Sequence, residues 1–317
     1  MNHISKIIIL FSLAIFGTLP AQIPAGYYKL AEGKTGYELK TALHQIIKAG
    51  HLTQTYKSLW THIVTTDSKP DGTVWDMYSD RPGATPPYVY NFTVDQCGYF
   101  SAEGVCYNRE HSFPKSWFDD ASPMYTDLFH IYPADGYVNS IRSNHPYGEV
   151  DNPSKTSQNG SKVGPNATPG YSGTVFEPID AYKGDFARTY FYMATRYEDV
   201  ISGWENYSPV GKDVLDGSSN KVFEQWVLDL LIAWHKQDPV SDKEINRNNA
   251  VYAIQKNRNP YIDHPWMVEC VWQNQCSENA LNDTEADLAD VPGPLSGRRA
   301  AQGKRVELPG SPAERAP

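Results

Sequence analysis

The chain has 317 residues, enough for one large domain or two small ones and for a substantial hydrophobic core. Aromatic residues make up 13%, with 21 Tyr and 8 Trp, which excludes a predominantly disordered chain. The formal net charge of -9 argues against a surface that grips polyanions broadly, so contact with nucleic acid would need local positive charge or a metal ion inside an acidic whole.

The N-terminus has the order of a secretory signal. Lys6 precedes the apolar run Ile7–Gly17, and "TLPAQ" follows with small residues suited to cleavage, so residues 1–21 are expected to be a signal peptide. The run is short for a membrane span, and no Cys near the cleavage point supports a lipoprotein. The expectation is an exported protein, secreted or periplasmic, with no membrane association once cleaved. From 35 onward, "TGYELKTALHQIIKAG" pairs Thr35 with Glu38 as a capping box, places Leu39, Leu43, Ile46 and Ile47 at helical spacing, and stops at Gly50. Residues 68–104, rich in Pro, Gly, Asp and Tyr, read as long loops.

Export makes the cysteines interpretable. Cys97 and Cys106 lie nine apart, and Cys270 and Cys276 six apart, so two local disulfides are the economical choice among three connectivities. A zinc site from all four is the alternative, although neither spacing is the close C-x2-4-C of structural sites.

A short unit follows. "GVCYNREH" (104–111) reads as a strand, "DLFHIYP" (127–133) as a second, and "DGYVNSIRSN" (135–144) as a helix capped by Asp135 and ended by Asn144. Further on, "GDFARTYFYMATRYED" places Phe186, Tyr190, Met193 and Tyr197 on one helical stripe. "KVFEQWVLDLLIAWH" places Phe223, Trp226, Val227, Leu230, Leu231 and Trp234 on another. "SDKEINRNNAVYAIQ" opens with a second capping box, Ser241 with Glu244. His44, His51, His62 and His235 sit on or beside such elements and read as structural. From about Ala280 the chain turns rich in Pro and Gly and loses its aromatic residues, so 280–317 is expected to be a disordered tail. The fold class is α+β: a small strand–strand–helix centre in mainly helical surroundings, with long loops, in one domain over 22–279.

The chemistry lies in that centre. Glu110 and His111 end its first strand and Asn139 sits on its helix. A carboxylate with an amide is an all-oxygen set, suited to one hard divalent ion, Mg²⁺ first and Ca²⁺ or Mn²⁺ next, that keeps waters and takes phosphate oxygens. His111 is then free to take a proton from water. Successive strand residues point to opposite faces, so Glu110 and His111 can serve one cleft only where the strand ends or bulges, and Pro114 makes an ending plausible.

These motifs carry a resemblance. "NREHSFPKSWF" with "TDLFHIYPADGYVNSIRSNHPYGEV", then "GDFARTYFYMATRY" and "DPVSDKEINRNNAVYAIQKNRNPYIDHP", resembles the secreted and periplasmic endonuclease I family, which carries the ββα-metal (His-Me finger) active site. The likeness covers most of residues 27–272, and N-R-E-H joined to V-N-x-x-R-S-N is its specific part. It implies that Glu110 and Asn139 bind the metal and that His111 activates the attacking water. It also implies a substrate of DNA, with RNA, cut internally without strong sequence preference to leave 5′-phosphates. Phe129 stands where some members have His, which puts any role of His130 in doubt. Arg142, three residues after Asn139, is the first candidate to pair with phosphate, with Arg109 and Arg188 behind it; a structural ion pair is the alternative for all three. Tyr99, Tyr107 and Tyr132 flank the site as stacking or core residues, and His145 and His264 as groove or surface residues. A monomer is expected. Two rival readings are a metal-dependent phosphodiesterase acting on a non-nucleic ester and an inactive secreted binding module.

Overall fold

The computed structural model describes residues 23–276, so the signal-peptide and tail expectations lie outside the described residues. The first helix, α1 (Gly36–Lys48), buries Leu39, Leu43, Ile46 and Ile47 on one face, and the chain leaves it through Gly50 at φ +72°. The Thr35–Glu38 capping box does not form. Thr35 occupies the cap position without a side-chain bond, and the first turn is closed by the backbone, Leu39 N–H donating to the Thr35 carbonyl at 3.2 Å. After α2 (Leu59–Thr66) the chain runs without a named helix or strand as far as Cys106, and the Cys97–Cys106 disulfide closes the end of that stretch.

The centre then forms. Strand β1 (Tyr107–His111) pairs antiparallel with β2 (Ile131–Asp135), Tyr107 opposite Asp135 and His111 opposite Ile131, and α3 (Gly136–Arg142) follows directly. The second strand therefore starts four residues later than expected. Asp127 is the cause: its carboxylate accepts the Phe129 N–H at 3.0 Å and its carbonyl the His130 N–H at 3.3 Å, a turn that competes with extended backbone. Asp135 caps α3 as expected, accepting from Val138 N–H at 2.8 Å. The helix stops one residue earlier than expected, because Ser143 and not Asn144 takes a positive φ, 53°.

A three-stranded antiparallel sheet, β3 (Lys155–Thr156), β4 (Lys162–Pro165) and β5 (Thr174–Glu177), comes next and has no counterpart in the sequence reading. Helices complete the described chain: α4 (Lys183–Arg196), α5 (Pro209–Lys212), α6 (Gln225–Gln237), α7 (Asp242–Gln255), α8 (Pro260–Asp263) and α9 (Met267–Trp272). Mixed helix and small sheets make the class α+β.

The core is organised on α4, whose fourteen residues are all buried, so the expected single stripe is in fact a helix enclosed all round. Its polar groups are satisfied internally. Tyr192 and the following Tyr197 both donate to Asp127, at 2.8 and 2.7 Å. Arg188 meets Glu244 of α7 bidentately, Nε and Nη2 donating at 2.5 and 2.8 Å, and Glu244 also closes the capping box with Ser241. Cys270–Cys276 forms as the second disulfide. Among the described residues, no helix is long and apolar enough to cross a membrane.

Candidate active site on the strand–strand–helix unit

Strand alternation sorts the N-R-E-H residues. Asn108 and Glu110 project to one face of β1, Arg109 and His111 to the other. Helix α3 lies over the first face with matching spacing: Asn139 meets Asn108 and Arg142, three residues on, meets Glu110. The Asn139 amide donates through Nδ2 to Asn108 Oδ1 at 2.8 Å, so its oxygen is the end left for another partner. Glu110 is 4% exposed. Its Oε1 faces Arg142 Nη1 at 3.0 Å and accepts the Tyr78 hydroxyl at 3.1 Å, while Oε2 takes no described hydrogen bond. Burial raises the Glu110 carboxyl pKa, and the Arg142 charge and the Tyr78 hydrogen bond oppose that rise.

One carboxylate oxygen and one amide oxygen thus stand clear of the bonds that orient them. Their donor chemistry fits a hard divalent ion and not zinc. Among the described residues no three His, Cys, Asp or Glu side chains gather into a metal cluster, so an ion here would complete its shell with water or phosphate oxygens.

His111 sits across the strand. Its ring lies near-parallel to Tyr125 at 5.1 Å and to Tyr56 at 6.2 Å, with His130 at 5.4 Å. The Nε2–H donates to the Tyr125 carbonyl at 3.1 Å, which leaves the Nδ1 lone pair on the neutral ring. Burial first, then the neighbouring His130, lowers its pKa to about 3, so the imidazole is neutral at physiological pH. The register of β1 is regular through His111 and contains no bulge, so Glu110 and His111 do not share a face. Among the described residues β2 is the only strand beside β1, and the opposite edge is bridged by the Asp95–Cys97 segment at Tyr107.

Two expectations are corrected by burial. Arg142 is 1% exposed and is spent on Glu110 and on the carbonyls of His111 and Ser112, at 3.2 and 2.5 Å. Arg188 is fully enclosed against Glu244. Neither guanidinium is presented to a phosphate; both are the structural ion pairs held open as the alternative. Arg109 is different. It is half-buried, stacked on Tyr56 and Trp60, and no described Asp or Glu pairs with it. His130 is buried with Nε2 on the Met124 carbonyl at 2.7 Å. Tyr107 and Tyr132 are core residues, whereas Tyr99 is 82% exposed.

Sequence reasoning missed Asn108, Tyr78 and Tyr125. Asn108 carries a signal in hindsight, since it stands two residues before Glu110 on the same strand face. Tyr78 comes from an aperiodic loop, and Tyr125 acts through its carbonyl, which no side-chain pattern records.

Known proteins extend this picture. The chain is 37% identical over 254 residues to an extracellular ribonuclease of Bacillus amyloliquefaciens, covering 78% of each chain. It is 36% identical over 253 residues to the extracellular ribonuclease of Bacillus subtilis (strain 168), again covering 78% of each. An endonuclease-1 of Buchnera aphidicola subsp. Acyrthosiphon pisum is 30% identical over 137 residues, 43% of this chain and 44% of its own. With a carboxylate, an amide and an imidazole on one strand–strand–helix unit, these relatives define the class as nuclease. Residues 35–266 match the model of the family described as Endonuclease I. The chain belongs to the endonuclease I family.

Proposed function

We propose that the protein is an exported, metal-dependent endonuclease that hydrolyses phosphodiester bonds of RNA and DNA without strong sequence preference and leaves 5′-phosphates. The observation that carries this reading is the pairing of α3 with β1, which turns Glu110 Oε2 and Asn139 Oδ1 into two oriented oxygen donors beside the strand that bears His111. Export fits the two disulfides and the apolar N-terminal run, and the Bacillus relatives are named extracellular.

Glu110 and Asn139 would hold one hard cation, Mg²⁺ first. When bound, the ion neutralises negative charge that builds on the phosphate oxygens and the departing 3′ oxygen. His111 accepts the water proton at Nδ1. Its Nε2–H stays on the Tyr125 carbonyl, which fixes the tautomer and supports the imidazolium that forms. Arg142 aims the Glu110 carboxylate and opposes the rise in its pKa caused by burial, and Asn108 aims the Asn139 amide.

The test is digestion of plasmid, RNA and a small chromogenic phosphodiester with Mg²⁺ and with EDTA. Metal-dependent cleavage of the polymers supports the reading. Cleavage of the small ester alone points to a non-nucleic phosphodiesterase, and no cleavage with any divalent ion points to a binding module. A second measurement addresses the ligand set. In a His111→Ala background, Asn108→Ala is expected to weaken Mn²⁺ binding about tenfold, the lower end for loss of a group that orients a metal ligand. Asn108→Asp, which still accepts the Asn139 N–H, is expected to keep most of the affinity. Equal Mn²⁺ affinity with and without the Asn108 acceptor removes it from the site.

A further inference from the structure

Arg109 presents an imbalance of charge that the proposed metal centre does not use. Four enclosed arginines each face a carboxylate: Arg142 with Glu110, Arg188 with Glu244, Arg247 with Asp67 and Arg258 with Asp263. Arg109, on β1 between Asn108 and Glu110, faces none among the described residues. It is held by aromatic faces. Its guanidinium carbon lies 3.6 Å from the centroid of Tyr56 and 4.2 Å from that of Trp60, and Nη1 donates to the Tyr56 carbonyl. Nε is buried and has no partner, and Nη2 makes no described hydrogen bond.

Two rings can hold a flat guanidinium in place, but ring faces neutralise it only in part. Lack of a carboxylate alone does not call for a ligand: Arg196, 6% exposed, has none either and is held by His51 Nδ1 and the Tyr197 ring. Arg109 differs in being only half-buried on the His111 face of β1, where a bound anion can reach its guanidinium. Tyr56 also lies near-parallel to the His111 ring, so the cage is built onto the same face as the imidazole. Tyr125 stacks on the other neighbours of that face, with Lys115 over its ring at 5.6 Å. Lys115 is itself paired with Asp120 at 2.8 Å, so on this aromatic ledge Arg109 is the cation without a described carboxylate.

We infer that Arg109, caged by Tyr56 and Trp60, docks a backbone phosphate of the bound nucleic-acid strand adjacent to the phosphate being cut, on the His111 side of β1. The inference rests on the nuclease reading. In this arrangement the cage fixes the guanidinium before substrate arrives, and the flanking phosphate supplies the countercharge and the acceptors that Nη2 lacks.

The experiment is anisotropy titration of a fluorescein-labelled single-stranded 12-mer in EDTA, so that nothing is cut, over a series of NaCl concentrations. A lost phosphate contact makes the slope of log K against log salt shallower by about 0.7 for a single strand. That change is expected for Arg109→Gln. Arg109→Lys is expected to keep the slope, because the charge remains, and to bind several-fold more weakly, because the stacked plane is gone. Trp60→Leu should weaken binding in the same sense with the slope unchanged. An unchanged slope for a folded Arg109→Gln, judged by its thermal melt, overturns the inference. If that variant does not fold, Arg109→Lys decides: affinity equal to the parent overturns it. Mg²⁺-dependent plasmid cleavage by the parent is run alongside. A parent that cuts and binds while Arg109→Gln binds identically refutes only the docking role. A parent that neither cuts nor binds refutes the nuclease reading and this inference with it.

Discussion

Replacing His111 by alanine is expected to slow phosphodiester cleavage by about 10²–10⁴-fold while oligonucleotide affinity in EDTA stays within a few-fold of the parent. The size follows from the role. General-base help is lost, whereas the metal ligands Glu110 and Asn139 and the Arg109 cage keep their own supports: Tyr78, Arg142, Asn108 and the Tyr56–Trp60 pair. The split between rate and binding matters, because His111 also packs. Its ring stacks on Tyr125 and fills space beside Phe118 and His130, so removal leaves a small void and an unpaired carbonyl at Tyr125. A variant that merely loosened the fold would lose binding and rate together and would melt earlier. His111→Asn narrows the interpretation further, since an amide can still donate to the Tyr125 carbonyl but is no base. Single-turnover rates with Mg²⁺ are the measurement, and an Asn variant as fast as the parent would remove proton transfer at this position from the mechanism.

How much of this could be read from the chain is best seen residue by residue. The strand–strand–helix order was legible because Asp135 advertises a cap and the flanking runs are short, and the structure adds a later start of both strands, the second caused by the Asp127 turn, and a helix that stops at Ser143. Both disulfides were legible because their partners are close in sequence. The sheet β3–β4–β5 was not: its strands are two to four residues long, with Gly164 and Pro165 ending one of them, so no alternating pattern accumulates. The arginines failed for another reason. A guanidinium's partner is set by tertiary contact, and the acids that claim Arg142 and Arg188 lie 32 residues before the first and 56 after the second. The motif marks positions where charge is needed. It does not say whether the charge meets substrate or holds the residue that does.

That distinction is open to a direct measurement at Arg142. Arg142→Met is expected to cost about 3–5 kcal/mol of stability, because it strands the Glu110 carboxylate in the interior and strips donors from the His111 and Ser112 carbonyls. The carboxyl, already pushed upward by burial, then loses the cation that opposes that push and takes up a proton, so Mn²⁺ binding should fall with stability. Urea unfolding read as a midpoint shift at constant slope gives the first quantity. A double-mutant cycle with Glu110→Gln gives the second test. Each single change leaves one buried partner unsatisfied, so the double variant is expected to be more stable than the sum of the singles by about 1–3 kcal/mol. A phosphate-binding arginine would behave in the opposite way. It would leave the urea midpoint near the parent value, make the salt slope of oligonucleotide binding shallower, and add independently to Glu110→Gln. Since Arg142 Nη1 reaches Glu110 at 3.0 Å and Nη2 is taken up by the Ser112 carbonyl, the expected outcome is a large stability loss, strong coupling and an unchanged salt slope.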